Sequence, residues 1–410
     1  MKTTIAVSLR NPHTQMRTAF YVLGTLCALI SLFGVDALPY DNLFGTQHFQ
    51  PCYFINDSVP CLLDGALAAD ALLQSKIFKF ALKANTPQMY PFNNRGQFAW
   101  PSKFDSLTEI ARTTQVDALL RNSFGTKYSV FVIWAYTVGL PDSYWCNGIS
   151  AEQMMLETQQ FRELTSYLLQ TYQGLEIEIY LEHWEGDWAA RCGSYDRGVP
   201  PDPQVSRNMV QWLSARQAGV EQGRASAPAG CKCQVYHGTE VNLVLDSIHN
   251  ASFGNIIRSV VPHVRLDTVS YSSYEAQGSA LLLTSALDFI FSSMNRSAAS
   301  PPKPVFITEW GLPLNQVDPS AANYVAETVV NVTKEKSTSY LRMALHLQVI
   351  NNELTAGGNC GSEPVTDPTL QRGFWEILPS GEPSSIGLYL KDVIAGKENM
   401  GTYANSIKRN

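Results

Sequence analysis

Two short segments of the sequence place a glutamate just after an apolar run. In VFITEWGLP, residues 305–313, an apolar run precedes Glu309, which is followed by a tryptophan and a glycine. In IEIYLEHWEGDW, residues 177–188, a β-rich run precedes Glu185, which stands between a tryptophan and a glycine. A carboxyl group at the end of a strand can serve as a general acid, a general base or a nucleophile. The two glutamates are therefore the leading catalytic candidates.

The chemistry that suits such a pair is hydrolysis of a glycosidic bond. One carboxyl group protonates the leaving oxygen while the other attacks or assists at the anomeric carbon. Aromatic neighbours fit this chemistry, because Trp184, Trp188 and Trp310 offer flat apolar faces to the C–H groups of sugars. Apolar surroundings also raise the pKa of a carboxylic acid, as a proton donor requires.

Regular alternation of short apolar runs with amphipathic stretches predicts the elements that position these residues. The predicted strands are 44–49, 76–82, 128–135, 176–182, 233–238, 266–271, 304–308 and 341–349. The predicted helices are 106–121, 151–172, 205–225, 280–295, 320–335 and 385–395. Such alternation indicates a parallel sheet, and eight units in a 410-residue chain favour a single-domain (β/α)8 barrel. An open doubly wound sheet is the rival, but no GxGxxG segment opens a helix.

In a barrel the carboxyl ends of all strands meet at one face, where active sites lie. Glu185 and Glu309 would face each other there, at the ends of the fourth and seventh strands. Other strand ends add candidates for substrate binding, each of which could instead be an ordinary packing or hydrogen-bonding residue. These candidates are His48, His183, Trp184, Glu240, Asn242 and Trp310.

The ITEWG segment resembles the strand-seven nucleophile motif of a large superfamily of retaining glycoside hydrolases, clan A or the 4/7 superfamily, built on this barrel. The resemblance covers roughly residues 43–395, although its specific motifs are short. It implies that Glu309 is the nucleophile and that an acid/base residue ends strand four. It also implies a tyrosine after strand six that hydrogen-bonds the nucleophile. Tyr271 and Tyr274 are the available tyrosines, and Tyr274 is favoured.

Strand four departs from the superfamily pattern, which usually has asparagine directly before the acid/base glutamate. Here Trp184 precedes Glu185, leaving His183 or Asp187 to take the role of the asparagine. Strand alternation also leaves Glu182 open as the acid/base residue. Glu185 is preferred because its setting mirrors the tryptophan and glycine beside Glu309.

Strand two shows a second departure. The superfamily often has an arginine on this strand, whereas the segment KIFKFAL offers only Lys76 and Lys79.

The N-terminus and the cysteines predict an exported protein. Residues 1–37 are predicted to form a signal peptide, with an apolar run at 19–33 and cleavage after Ala37, leaving a barrel domain at 38–410. An uncleaved membrane anchor is the alternative. The predicted disulfides are Cys52–Cys61, Cys146–Cys192 and a bond from Cys360 to Cys231 or Cys233. Acceptor sites for N-glycosylation occur at Asn56, Asn250, Asn295 and Asn331.

The composition of the chain argues against several classes of binding partner. A net charge of −6 argues against nucleic acid and anionic membranes as partners. Scattered cysteines without a CxxC pair, and the lack of any HxH segment, disfavour a metal site and a metal-dependent barrel hydrolase. Hydrolysis by two carboxyl groups needs no cofactor, and none is expected. The sequence therefore predicts a secreted retaining glycosidase with a carbohydrate substrate; the alternative is a barrel protein that binds carbohydrate without catalysis.

Overall fold

The computed structural model describes residues 39–397, which form a closed barrel of eight parallel strands. The strands are β1 Phe44–Gln47, β2 Ile77–Leu82, β3 Val130–Ala135, β4 Glu178–Glu182, β5 Gln234–Val241, β6 Thr268–Ser272, β7 Val305–Trp310 and β8 Leu341–His346. Each strand pairs with its neighbours in the chain, and β8 closes the ring against β1. The predicted (β/α)8 barrel is confirmed. A separate pair of two-residue strands, 265–266 and 295–296, lies outside the ring.

Helices connect the strands and cover the outside of the barrel. They are α1 Cys61–Leu73, α2 Thr86–Met89, α3 Leu107–Ala111, α4 Thr114–Leu120, α5 Ala151–Thr171, α6 Gly186–Ala189, α7 Pro203–Ala225, α8 Val244–His249, α9 Ile256–Ser259, α10 Ala280–Ser293, α11 Pro319–Lys336 and α12 Ser385–Ile394. The long helices begin at clear caps. Ser150 and Gln153 form a capping box at the start of α5, and the Asp202 side chain accepts from Gln204 before α7.

One helix prediction was wrong, and one long helix was not predicted. The single helix predicted at 106–121 is split into α3 and α4, because Thr113 is extended, with ψ at 150°, and starts a new helix. Helix α1 was not predicted, because its sequence CLLDGALAADALL is apolar on most sides and lacks a polar stripe. Its residues are largely buried, as expected of a helix that packs between the barrel and α12.

The barrel interior is apolar at one end and charged at the other. Ile77, Val132, Tyr180 and Phe306 belong to a buried cluster inside the ring. Lys79, two residues beyond Ile77 and on the same side of β2, is also fully buried. The interior thus changes from a packed hydrophobic layer to a layer of ionisable groups directly beneath the carboxyl ends of the strands.

Two disulfides join loops at the carboxyl ends of the strands. The predicted Cys146–Cys192 bond is confirmed. The other two predictions were wrong, because Cys52 pairs with Cys360 and leaves Cys61, Cys231 and Cys233 as free thiols. Cys52 and Cys360 follow the adjacent strands β1 and β8, whereas Cys231 and Cys233 precede β5 at the opposite end of the barrel. The connection across 308 positions depends on closure of the ring.

Features predicted for export lie partly outside the described residues. The predicted signal peptide at 1–37 and the alternative membrane anchor at 19–33 both lie outside the described residues. Within residues 39–397, no helix is long and apolar enough to span a membrane. The asparagines of the predicted glycosylation sites, Asn56, Asn250, Asn295 and Asn331, are all exposed.

Candidate active site

A pocket of about 600 Å³ opens at the carboxyl ends of the strands. Both candidate glutamates, Glu185 and Glu309, line it, together with Trp184 and Tyr274. The remaining lining residues are Phe49, Gln50, Lys83, Met89, Trp134, Tyr136, Asp142, Tyr195, Leu347, Asn352, Glu353, Asn359, Arg372 and Phe374. The loops bearing these residues include those joined by the two disulfides, so each covalent bond links two neighbouring parts of the pocket wall.

Glu309 lies near the end of β7, where the pairing with β6 is irregular. Tyr271 is paired with Ile307, but the next residue of β6 is paired with Glu309, so the register shifts by one residue. Such an irregularity re-aims side chains. Here it brings the consecutive residues Thr308 and Glu309 to the same ammonium group, that of Lys79. The strand end therefore directs Glu309 into the barrel mouth, where it is only 4% exposed.

Two donors contact the Glu309 carboxyl group. The hydroxyl of Tyr274 donates to Oε2 at 3.1 Å, and the Lys79 ammonium donates to Oε1 at 3.4 Å. Burial raises the pKa of Glu309 above its usual value, and Lys79 and Tyr274 offset this effect only in part. Hydrogen bonds to a carboxylate favour its ionised form, which is the form that can attack as a nucleophile.

Glu185 lies between the end of β4 and the short helix α6. The loop is anchored by the buried Asp187, whose carboxylate accepts hydrogen bonds from the backbone of Asn242, Leu243 and Ile256 at 2.9–3.2 Å. In return, the side chain of Asn242 accepts from the Asp187 backbone at 3.0 Å. Asn242 thus fixes the loop that carries Glu185, a role that the sequence did not reveal.

The electrostatic setting of Glu185 differs from that of Glu309. Burial and the neighbouring carboxylates of Glu309 and Glu240 raise the pKa of Glu185 well above its usual value, and Lys79 opposes the shift only in part. A raised pKa keeps the proton on the acid near neutral pH, as general acid catalysis requires. Two carboxyl groups in different environments can therefore take different protonation states in one pocket.

The carboxyl groups are close together. One carboxylate oxygen from each of Glu185, Glu240 and Glu309 lies within 4.8 Å of the other two. Retaining glycosidases hold their two carboxyl groups about 5–5.5 Å apart, whereas inverting enzymes leave about 6.5–9.5 Å. These oxygens are therefore nearer together than the separation that inverting enzymes leave for a water molecule. These three oxygens are near enough to ligate a cation, but Lys79 already supplies positive charge to Glu240 and Glu309.

Lys79 joins four strands beneath the pocket. Its ammonium lies 3.2 Å from Glu182 and 3.4 Å from Glu240 and from Glu309. It also donates to the Thr308 hydroxyl at 2.6 Å. Burial opposes the charge on Lys79, yet attraction to Glu240, Glu182 and Glu309 outweighs burial and raises its pKa. The ammonium therefore stays charged and partly neutralises the carboxylates around it.

Glu182 and Glu240 lie in this layer below the pocket and do not line it. Glu182 accepts hydrogen bonds from Ser270 at 2.6 Å and Thr308 at 2.8 Å. Glu240 accepts from Ser272 at 2.6 Å and from the Trp134 indole at 3.2 Å. Burial raises the pKa of Glu240 to about 8, despite its contact with Lys79. The alternation of side chains along β4 thus points Glu182 into the barrel interior, and Glu185 is the glutamate of this segment that lines the pocket.

Four of the other predicted binding residues are buried away from the pocket. The His48 ring bonds the Cys61 carbonyl at 3.0 Å, and the His183 ring bonds the Thr239 hydroxyl at 2.7 Å. Tyr271 donates to Glu275 at 3.2 Å, and Trp310 packs edge-on against His346 with ring centroids 4.9 Å apart. None of the four belongs to the pocket lining within the described part of the chain.

Most residues that support or line the pocket were not among the candidates predicted from the sequence. Lys79 had one available signal, since it is the single charged residue within the apolar strand IFKFAL. Phe49, whose ring stacks on Trp134 with centroids 4.0 Å apart, and Tyr195 in a polar loop carried no signal. Their proximity arises from the ring of strands and the loops above it.

Replacing Lys79 by methionine is expected to lower the free energy of unfolding by about 3–5 kcal/mol at pH 7.5, because buried carboxylates would lose their counter-charge. The loss should be smaller at pH 5. A buried acid whose folded pKa is raised stabilises the protein while protonated, and that stability is lost as the pH rises through the folded pKa. Without Lys79 the pKa of Glu309 and Glu240 rises further, so stability should fall more steeply with pH.

Chemical denaturation of both proteins at the two pH values would test this expectation. Lys76→Met is the matched control, because Lys76 is 37% exposed and pairs with Asp41 at 2.9 Å on the surface. Its effect should be at most about 1 kcal/mol. An equal loss for Lys79→Met at pH 5 and pH 7.5 would contradict the charge-balancing role.

No protein-family model matches the chain, and no curated protein matches it. Solved structures do resemble it. A GH5_18 variant from Streptomyces cattleya in complex with Manb1-4GlcNAc shares 12% identity over 88% of this chain and 82% of that chain, with a TM-score of 0.53. A GH5_18 from Bifidobacterium longum subsp. infantis shares 13% identity over 87% and 79%, with a TM-score of 0.54. The AHE enzyme from Alicyclobacillus herbarius shares 12% identity over 88% and 98%, with a TM-score of 0.51. At these identities the likeness is one of fold, and the chain has the (β/α)8 barrel on which the GH5_18 structures are also built.

Proposed function

We propose that this protein is a retaining glycoside hydrolase, with Glu309 as the nucleophile and Glu185 as the acid/base residue. The observation that carries the proposal is the geometry of these two carboxyl groups. They line one pocket with oxygens within 4.8 Å, and their surroundings differ in charge and in hydrogen-bond donors. The fold shared with GH5_18 structures supports the same class of reaction.

In the first step, the ionised Glu309 attacks the anomeric carbon and forms a glycosyl ester. Glu185 transfers its proton to the glycosidic oxygen as the bond to the leaving group breaks. The Tyr274 hydroxyl and the Lys79 ammonium favour the ionised form of Glu309 against the effect of burial, and they hold the carboxylate in position before the attack. They are therefore expected to orient the nucleophile rather than contact the leaving group.

In the second step, the deprotonated Glu185 takes a proton from water, and the resulting hydroxide attacks the anomeric carbon. Glu309 departs as a carboxylate, so two inversions give net retention. Formation of the ester removes the negative charge of Glu309, which is one cause of the raised pKa of Glu185. The pKa of Glu185 should thus fall between the two steps, as its change from acid to base requires.

The charges on the pocket wall favour a neutral sugar. The two cationic lining residues are already paired, Lys83 with Asp142 and Arg372 with Glu353. An anionic sugar would therefore meet the carboxyl groups of the pocket without an unpaired cation to receive it. Exposed glycosylation sequons and two disulfides support a further part of the proposal, that the enzyme is secreted.

A second candidate function is binding of carbohydrate without catalysis. It is favoured by Trp184, which stands where the resembling superfamily usually has asparagine. Binding of a neutral oligosaccharide with no turnover of an activated aryl glycoside would support this alternative.

The test of the proposal is a screen of neutral aryl glycosides and oligosaccharides, with the anomeric configuration of the first product followed by proton NMR. The expected result is hydrolysis of at least one substrate with retention. Inversion would contradict the role of Glu309 as a nucleophile, because inverting enzymes form no glycosyl ester. Chelator treatment should leave the rate unchanged, which separates this mechanism from a metal-dependent hydrolase.

A further inference from the structure

The bend at residues 273–277 follows β6 directly and carries Tyr274. Its first residue is attached to the backbone of the candidate nucleophile. The Ser273 backbone N–H donates to the Glu309 carbonyl at 2.9 Å, and the Ser273 hydroxyl donates to the same carbonyl at 3.2 Å. The bend also closes on itself, because the Gln277 backbone N–H donates to the Ser273 carbonyl at 2.8 Å. Tyr274 therefore belongs to a short segment that is hydrogen-bonded at its start and across its ends.

The last residue of the bend, Gln277, is attached to the segment just after β7 through its side-chain amide. The amide nitrogen donates to the Gly311 carbonyl at 3.0 Å, and the amide oxygen accepts from the Gly311 backbone N–H at 2.9 Å. The side chain thus pairs with Gly311 much as the backbone of a neighbouring strand would. Gln277 is 3% exposed and is not part of the pocket lining, so these hydrogen bonds serve the backbone rather than a ligand.

A neutral amide is well suited to this position. It offers a donor and an acceptor in one plane, so it satisfies both polar groups of a peptide unit without adding a charge. A charged side chain placed here, beside the segment that carries Glu309, would disturb the pKa of that carboxyl group. Gly311 is itself closely confined, since its φ is +143° and a Cβ at this position would lie 3.1 Å from the His346 ring. Gln277 therefore ties the bend to a segment that has little room to move.

The side chain of Glu275 holds the bend from another side. It accepts from the Leu245 backbone N–H at 2.8 Å and pairs with Arg197 at 2.6 Å. These contacts connect the bend to the loops after β5 and β4. The attachment of the bend to the nucleophile segment is thus made by Ser273 at one end and by Gln277 at the other.

We propose that Gln277 is a positioning residue for the nucleophile, which keeps the Tyr274 hydroxyl within reach of Glu309 by fixing the bend to the segment after β7. The inference rests on the proposed function, in which Glu309 attacks the sugar. The Tyr274 hydroxyl donates to Glu309 Oε2 at 3.1 Å, which is long for a hydrogen bond between two oxygens. A small displacement of the bend away from β7 would therefore break this contact.

Gln277→Met tests the inference, because methionine is nearly as long as glutamine but cannot pair with the Gly311 backbone. Without the Tyr274 donor, the pKa of Glu309 should rise. The nucleophile attacks in its ionised form, so the acidic limb of kcat/KM for an aryl glycoside should move to higher pH by about one unit. At a pH below the shifted limb, kcat/KM should fall by about tenfold. Tyr274→Phe removes the hydroxyl directly and should shift the limb in the same direction.

The charged neighbours of Glu309 stay in place in both variants, so the acidic limb continues to report the same carboxyl group. These neighbours are Lys79 on β2, Glu182 on β4, Glu185 in the loop after β4 and Glu240 on β5.

The double variant, Gln277→Met with Tyr274→Phe, shows whether Gln277 acts through Tyr274. If it does, adding Gln277→Met to Tyr274→Phe should change kcat/KM by less than about twofold, because the contact has already been lost. A full tenfold loss in the Tyr274→Phe background would overturn the inference. So would an acidic limb that does not move in Gln277→Met alone.

Gln160 on the outer helix α5 provides a matched control, because it is another buried glutamine that pairs with a backbone unit. Its amide donates to the Val138 carbonyl at 2.8 Å and accepts from the Val138 N–H at 3.0 Å and the Leu107 N–H at 3.1 Å. Gln160 is also 3% exposed. Gln160→Met should therefore destabilise the protein to a similar degree without moving the acidic limb. An equal shift in both methionine variants would overturn the inference, since the limb would then follow stability and not the tyrosine contact.

A crystal structure of Gln277→Met gives a readout that does not depend on turnover. The Tyr274 hydroxyl is expected to lie more than about 3.5 Å from the Glu309 carboxylate, beyond hydrogen-bond distance. An unchanged distance would overturn the inference even if activity fell. Gln277→Asn, whose amide is one methylene shorter, offers the same two measurements if the methionine variant does not fold. If the wild-type protein hydrolysed no glycoside, the proposed function would fall, whereas the distance would still show whether Gln277 positions Tyr274.

Discussion

Glu309→Gln is expected to reduce kcat by roughly 10⁴-fold or more, the scale observed when a nucleophile that forms a covalent intermediate is removed. The amide has nearly the same shape as the carboxylate, so the pocket should keep its form. It cannot form the glycosyl ester. Glu240, a further carboxylate within 4.8 Å, lies below the pocket against Lys79 and Ser272. Turnover of an activated aryl glycoside is the measurement.

Rescue by azide would identify the missing step. In Glu309→Ala the shortened side chain leaves room for a small anion, and Lys79 and Tyr274 remain beside that space. Azide should restore turnover and yield a glycosyl azide of inverted configuration, because a single displacement replaces two. A rescued product of retained configuration would contradict the assignment of Glu309 as the nucleophile.

A variant at the rim provides the control for Glu309. Glu353 also lines the pocket, but its carboxylate pairs with Arg372 and lies apart from the clustered carboxyl groups. Glu353→Gln should keep kcat within about tenfold of the wild-type value, because it removes a contact at the rim and no reacting group. A loss as large as that of Glu309→Gln would indicate that any acid in the pocket matters equally.

Removal of Glu185 is expected to have an effect that depends on the leaving group. For a disaccharide, Glu185→Ala should reduce kcat/KM by about 10²–10⁴-fold, the usual contribution of general acid catalysis. For an aryl glycoside with an acidic phenol, the loss in kcat/KM should be much smaller, because the phenolate departs without a proton. A slow second step should also appear as a burst of phenol, since no base activates water.

The pH dependence of the same variant gives an independent check. In the wild-type enzyme kcat/KM should fall at high pH as Glu185, whose pKa is raised, loses the proton it must donate. This alkaline limb should disappear in Glu185→Ala for the aryl substrate. The acidic limb, set by protonation of Glu309, should remain.

Glu182→Gln separates Glu185 from the alternative acid on strand four. Glu182 is buried below the pocket, where it contacts Lys79, Ser270 and Thr308. If Glu182 only supports the structure of the site, Glu182→Gln should lower the activity equally for both leaving groups. A dependence on the leaving group in Glu182→Gln, and none in Glu185→Ala, would transfer the acid/base role to Glu182.

The sequence alone determined the order of strands and helices and the ends at which the candidate glutamates lie. Alternation of apolar runs with helical patterns predicts a parallel barrel, whose strand ends must share one face. That rule places Glu185 and Glu309 at the same mouth. It also brings Cys146 near Cys192, since both cysteines follow neighbouring strands.

Tertiary structure alone decided how those residues are supported. The contact between Lys79 and Glu309 joins residues 230 positions apart, and the bond between Cys52 and Cys360 closes the ring from β1 to β8. Barrel strands are buried on both faces, so the hydrophobic pattern of a strand does not show which of its side chains point into the barrel, as Lys79 does. The pattern likewise does not show that Trp184 lines the pocket whereas Trp310 is buried away from it. Only the closure, the register and the irregular pairing at Thr308 decide which polar side chains meet, because each contact depends on strands that are distant in sequence.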